Sequence, residues 1–207
     1  ISEPVEFHRL ALVVIDEQHG FGVGQRRKLK ERSVENYVPH FLSMTATPIP
    51  RTVALTLYGE LDVSVIKEKP KGRKPIITRI ATEQNRDVAY AFIANQIDRG
   101  RQVFVVCPLI DSSDELEVTS VEETFAALQD GPFKKYRVAM LHGKMKPSEK
   151  EEIMKKMVGR EIDVLVATSV IEVGVDVPNA SVMMIEGAER FGLAQLHQFR
   201  GRIGRAE

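Results

Sequence analysis

Asp16 and Glu17 stand side by side at the end of an apolar run, Leu12-Val13-Val14-Ile15, and Gln18-His19 follow them. A continuous apolar run predicts a strand buried on both faces, the kind found in parallel sheets. The carboxylates then emerge at its carboxyl end, where open α/β sheets place their ligands. In a nucleotide-hydrolysing site such an Asp holds magnesium, and the neighbouring acid orients or deprotonates the attacking water. A buried strand that happens to end in two acids is the competing reading.

A second stretch, Gln198-Phe199-Arg200-Gly201-Arg202-Ile203-Gly204-Arg205, suggests the opposite charge in a matching role. Arg202 and Arg205 share a face if the segment is helical. Two guanidiniums with glycines between them pack poorly but clamp an anion well. Against a nucleotide they would stabilise charge on a transferring phosphoryl group. The alternative is an exposed basic helix end, favourable to the helix dipole.

Other strand ends carry small or polar residues suited to phosphate: Thr45-Ala46-Thr47, His142-Gly143 and Thr168-Ser169. Hydroxyls and backbone N–H groups hold phosphate oxygens without reading sequence; each could equally be a helix cap. Gly174 lets a backbone approach closely, and Asp176 beyond it could bind a ribose hydroxyl or cap a turn. Arg26, Arg27, Lys28, Lys30 and Arg32 make either a solvated helix face or a surface for phosphates. No G-x-x-x-x-G-K-[ST] occurs, so the loop that cradles nucleotide phosphates is not in these residues.

These groups need a scaffold. The chain has 207 residues, enough for one large domain or two small ones. With 43% hydrophobic and 28% charged residues, a soluble globular chain is expected. Lysine plus arginine equals aspartate plus glutamate at 29 each, so net charge does not indicate a polyanionic partner. The single cysteine, Cys107, lies in an apolar run and reads as a small core residue; no zinc spacing exists, and a reducing compartment is implied. Apolar runs are strand length, well short of the roughly 20 residues a membrane span needs. The first residue is not Met, and the chain stops just past a helical pattern, so a piece of a longer protein is expected.

Strands are predicted over 10–16, 41–44 and 62–66, with helices over 25–32 and 51–58. The basic, Pro- and Gly-containing stretch from Lys67 to Pro75 is the domain boundary. Beyond it strands are expected at 76–81, 102–107, 138–141, 163–167 and 181–185. Helices are expected over 83–99, closed by Gly100, and over 193–199, with two more headed by capping boxes at Ser120-Val121-Glu122-Glu123 and Ser148-Glu149-Lys150-Glu151. Residues 109–118 read as an acidic loop. Strands separated by helix-length patterns mean βαβ units around parallel sheets.

Asp16-Glu17-Gln18-His19 resembles the DExH box of superfamily-two helicases. Thr45-Ala46-Thr47 resembles their third motif, Val103 to Pro108 the fourth, Thr168 to Asp176 the fifth and Gln198-x-x-Gly201-Arg202-x-x-Arg205 the sixth, in the family's order. Within that superfamily the chain is similar to the RecG family of bacterial branched-DNA helicases. Met44 to Thr52, Ala54 to Gly59, Gly72 to Pro75 and Glu189 to Gln198 carry this likeness. The transcription-repair coupling factors share much of it but resemble DEEQ at the box and lack the Leu-Tyr-Gly segment. One departure is Gly20, where the family usually has Arg.

The resemblance implies an α/β fold of two RecA-like lobes with ATP between them. Residues 1–68 would be the back half of a first lobe truncated at its N-terminal side, 69–75 a linker and 76–207 the second lobe. It implies an ATP-dependent DNA helicase acting on branched or forked DNA in recombination and repair, with ATP and Mg2+ as cofactors, monomeric at full length. A bacterial, cytoplasmic, nucleoid-associated location and no membrane contact go with it. Asp16 would hold magnesium through water and Glu17 would position the water. Gln198, Arg202 and Arg205 would act on the phosphates, with Gly174 and Asp176 beside the nucleotide. His19, Thr45 and Thr47 would couple hydrolysis to DNA grip. Arg51, His142, Gly143, Thr168 and Ser169 would lie along the DNA. Without the phosphate loop, the 207 residues alone are expected to be inactive. Other duplex translocases, RNA helicases and a non-enzymatic nucleic-acid-binding lobe pair are the remaining alternatives.

Overall fold

The computed structural model describes residues 10–16, 39–45, 62–66, 68, 75–108, 114–168 and 177–204. The chain divides into two compact units, Ile1–Val65 and Ile66–Glu207.

In the first unit, β1 (Leu12–Ile15) and β2 (His40–Ser43) pair in parallel, with Leu12 opposite His40 and Ile15 opposite Ser43. The expected burial on both faces is not found. Ile15 is buried, but Leu12 and Val14 are about half exposed. Among the described residues of this unit there is no helix to cover a face of the two-stranded sheet. The expected strand over 62–66 is also not formed. Those residues carry no regular secondary structure and are exposed. The helices expected over 25–32 and 51–58 lie outside the described residues.

The second unit is built on a four-stranded parallel sheet. Its strands are β3 (Gln102–Val106), β4 (Val138–Leu141), β5 (Val164–Ala167) and β6 (Ala180–Ile185), in the order β4-β5-β3-β6. All five residues of β3 and all four of β5 are buried. Continuous Val, Leu and Phe runs suit such central strands, which are covered on both sides.

Alternation along these strands feeds two cores. Val103, Val105, Cys107, Val164 and Val166 pack with Ile93 and Ile97 of α1 (Arg86–Asp98) and Val121 and Leu128 of α2 (Asp114–Asp130). Phe104, Val106, Leu165 and Ala167 pack with Met157 of α3 (Pro147–Val158) and Phe199 of α4 (Leu193–Arg200). Helices on both faces of a parallel sheet are the α/β architecture expected from the strand and helix spacing. Among the described residues no helix is long and apolar enough to cross a membrane.

Several boundaries differ from expectation. Residues 76–81 form no strand; Ile77 and Ile80 are exposed. The acidic stretch is partly helical, because α2 spans Asp114–Asp130. Ser120 is therefore no cap but a buried interior residue, whose carbonyl accepts from the Thr124 hydroxyl at 2.8 Å. Helix α3 starts at Pro147, and the Lys146 N–H donates to the Glu149 carboxylate at 2.9 Å, so the cap lies two residues before Ser148. Helix α1 ends as expected at Gly100, whose φ of +79° suits glycine, with its N–H on Ile97 O at 2.7 Å. On α1, Val88 and Phe92 are exposed while Ile93 is buried.

Candidate functional site

Parallel strands present their carboxyl ends along one edge of each sheet, and Asp16, Thr45, His142, Gly143 and Thr168 lie at or just beyond such ends. In the first unit Asp16 follows β1, and the Met44 N–H donates to Ile15 O at 2.8 Å, extending the ladder by one step. Asp16 and Thr45 thus occupy neighbouring strand ends, and both are exposed. A hydroxyl and a carboxylate on one solvent-facing edge can share a hydrated, phosphate-bearing ligand.

In the second unit His142 follows β4 and Thr168 follows β5, its partner in the sheet. The Thr168 N–H reaches Leu141 O at 3.4 Å. Both side chains are buried, and among the described residues the His142 Nδ1 and Thr168 Oγ1 atoms have no hydrogen-bond partner. Gly143 is exposed, and its carbonyl accepts from Lys150 Nζ at 2.5 Å. His142 also lines a groove of about 490 Å³ with Lys144, Met145 and Lys156. Glu149 and Glu152 line the same groove, so its charge is mixed, with Lys156 paired to Glu152 at 2.7 Å.

Gln198 lies in the last turns of α4, which stops at Arg200 with Gly201 as its cap. Arg202 is held in the following turn, its N–H on Phe199 O at 2.9 Å. The helical continuation needed to align Arg202 with Arg205 is therefore absent. Buried Phe199 and Ile203 instead anchor the turn on either side of Arg202. Phe191 meets Phe199 edge-on, with centroids 5.3 Å apart at 85°, and fixes α4 against the preceding loop. Glu17, His19, Thr47, Arg51, Ser169, Gly174, Asp176 and Arg205 lie outside the described residues.

Cys107 closes β3 on the same edge and is fully buried, as a small core residue should be. Burial pushes its thiol up to about 11, against a hydrogen bond with Thr124 that lowers it and the nearby Glu186 charge that raises it. It is a neutral, inert group at physiological pH.

Two polar features escaped the sequence. Gln102, buried at the opposite end of β3, donates through Nε2 to Met157 O at 2.6 Å and Ile162 O at 2.7 Å. Asn179 Nδ2 donates to Gln102 Oε1 at 3.2 Å and Gly100 O at 2.9 Å. A polar residue at the head of an apolar strand was the available signal. The other feature is an ion pair between Arg86 and Glu186, a hundred positions apart, which no local pattern announces.

Residues 84–207 match the model of the helicase conserved C-terminal domain. The chain is 51% identical over 205 residues to an ATP-dependent DNA helicase RecG from Synechocystis sp., covering 99% of this chain and 24% of that protein. It is likewise 51% identical over 208 residues to the Staphylococcus aureus helicase of that name, covering 100% of this chain and 30% of that protein. The chain thus spans 24–30% of the length of these curated relatives. Among solved structures, RecG bound to a three-way DNA junction matches 98% of this chain and 25% of that one, at 42% identity and a TM-score of 0.67. The expected likeness to RecG helicases is borne out, and the chain belongs to the helicase conserved C-terminal domain family.

Proposed function

We propose that this chain is part of an ATP-dependent DNA helicase that translocates on and remodels branched DNA, such as stalled forks and Holliday junctions, in recombination and repair. The observation that carries the reading is 51% identity, along essentially the whole chain, to helicases named RecG. Asp16 is suited to magnesium held through water, since it is an exposed carboxylate at a parallel strand end with Thr45 on the next. Magnesium is commonly bound by one or two carboxylates, substrate phosphates and retained waters. Among the described residues no group of three or more His, Cys, Asp or Glu could cage a metal ion, which agrees with so sparse a site. When bound, the ion neutralises charge building on the nucleotide phosphates.

The remaining work falls to side chains. Glu17 orients the attacking water and takes its proton. Gln198, Arg202 and Arg205 stabilise the transferring phosphoryl, and Gly174 and Asp176 hold the nucleotide. His19, Thr45 and Thr47 tie turnover to DNA grip. Arg51, Gly143 and Ser169 contact the DNA backbone, with His142 and Thr168 shaping that edge from beneath. Their unpartnered buried atoms favour this assignment. The full-length protein works as a monomer in the bacterial cytoplasm, on nucleoid DNA.

The test is Glu17→Gln in the full-length protein. ATP binding should persist while branched-DNA-stimulated hydrolysis falls by about 10²- to 10⁴-fold. Normal turnover in that variant would refute the assignment of Glu17. Stimulation by duplex RNA equal to that by branched DNA would refute the substrate class.

A further inference from the structure

We infer that Arg86 and Glu186 form a positioning strut that sets the placement of α4 and Arg202. The inference rests on the reading of Arg202 as a group that stabilises the transferring phosphoryl. Arg86 opens α1, the first α-helix of the second unit. Its Nη2 donates to Glu186 Oε1, and its Nε donates to the Tyr90 hydroxyl at 2.6 Å. Tyr90 thus fixes the direction of the guanidinium, leaving one arm for the acid.

Glu186 immediately follows β6 and begins the loop that leads to α4. Its own N–H donates to Val106 O at 2.9 Å, which ties the backbone to the central strand. Gly187 then turns with φ +55° and ψ +45°, close enough to Pro108 that an added Cβ would stand 3.1 Å from its Cγ. One 3-10 turn, Ala188–Arg190, follows, and Phe191 lands edge-on against Phe199. The Phe199 carbonyl accepts the Arg202 N–H. A continuous series of packed and hydrogen-bonded groups therefore runs from Arg86 to Arg202.

The pair suits positioning better than stability. It sits on the rim of a cleft of about 420 Å³, with the Arg86 side chain 42% exposed and the Glu186 side chain 18%. The pair is part-buried, but its arginine is open enough to solvent that its contribution to folding stays modest. Placement of a charge-stabilising group is far more sensitive, since a shift of about 1 Å can cost around 10²-fold in rate. Releasing Glu186 frees the Glu186–Phe191 loop to shift, and α4 moves with it.

The experiment uses full-length protein carrying Arg86→Gln, Glu186→Gln or the swap Arg86→Glu with Glu186→Arg, with Arg202→Gln in parallel. Each single variant should lower kcat for DNA-stimulated hydrolysis about ten- to a hundredfold, leaving KM for ATP within about twofold and the melting temperature unchanged. The swap should recover most of that loss. Wild-type kcat in the single variants, a swap as slow as they are, or a loss that tracks a fall in melting temperature would each overturn the strut. Normal turnover in Arg202→Gln would instead overturn the reading beneath it.

Discussion

His142 and Thr168 close neighbouring parallel strands, and each buries a polar atom, Nδ1 and Oγ1, without a hydrogen-bond partner among the described residues. An unsatisfied buried hydroxyl costs about 1–3 kcal/mol. Two such groups on one edge are explained if that edge is shaped for binding rather than for folding. Thr168→Val keeps the shape and removes the hydroxyl. The melting temperature should hold or rise while DNA affinity and DNA-stimulated turnover fall. A lower melting temperature with unchanged DNA binding would make Thr168 an ordinary structural residue.

Much of the second unit was legible because its two central strands, β3 and β5, are continuous apolar runs with a strand on each side. Val103 to Val106 and Val164 to Ala167 could hardly be placed elsewhere. The runs at 62–66 and 76–81 look similar in composition, yet Ile66 and Ile77 are exposed. Composition reports that a residue can be buried, whereas pairing also needs a free strand edge in register. Helix starts misled for a related reason. Ser-x-x-Glu patterns occur inside helices as well as at their heads: Pro147 sets the start of α3, and α2 runs back to Asp114. Asp16, His142 and Thr168 were readable as strand-end residues because each follows a strand directly, and Thr45 because it lies two residues past β2. The Arg86–Glu186 pair was not, since only the folded sheet brings the two together.

Gln102 joins three segments at the amino end of β3. Its amide holds the carbonyls of Met157 and Ile162, which flank the turn between α3 and β5. Gln102→Ala leaves those acceptors without their amide donor and opens a cavity, for a loss of about 2–4 kcal/mol. Thermal unfolding should show a large drop in midpoint for Gln102→Ala and a smaller one for Asn179→Ala, which removes bonds only to Gly100 and Gln102. Equal, negligible shifts would contradict this.

Asp163 and Arg137 predict a pH signature. Burial pushes the Asp163 carboxyl up, but hydrogen bonds from the Arg137 guanidinium and N–H more than offset it, holding the group below the usual carboxylate range. A depressed acid contributes stability that is fully present above its unfolded value, near 3.9, and lost as pH falls through the lower folded value. Asp163→Asn should therefore lower the melting temperature at pH 7. The gap from wild type should narrow progressively below about pH 4. A gap that stays constant down to pH 2 would mean the carboxylate charge plays no part.

Gly187 should resist substitution on two separable grounds. Its φ of +55° places any other L-residue in the left-handed region, at a cost of about 1–2 kcal/mol. An added Cβ would also stand 3.1 Å from the Cγ of Pro108, tighter than ordinary contact. Gly187→Ala should lower the melting temperature by about 2–8 °C on the backbone term alone. Pro108→Ala removes the Cγ and relieves the contact while leaving the backbone strain. In the double variant Gly187→Ala should therefore cost less than it does alone, and the difference measures the steric share. If Gly187→Ala melts with the parent, the turn after β6 tolerates a side chain. In that case the wedge it forms against Pro108 cannot be what holds the loop leading to α4.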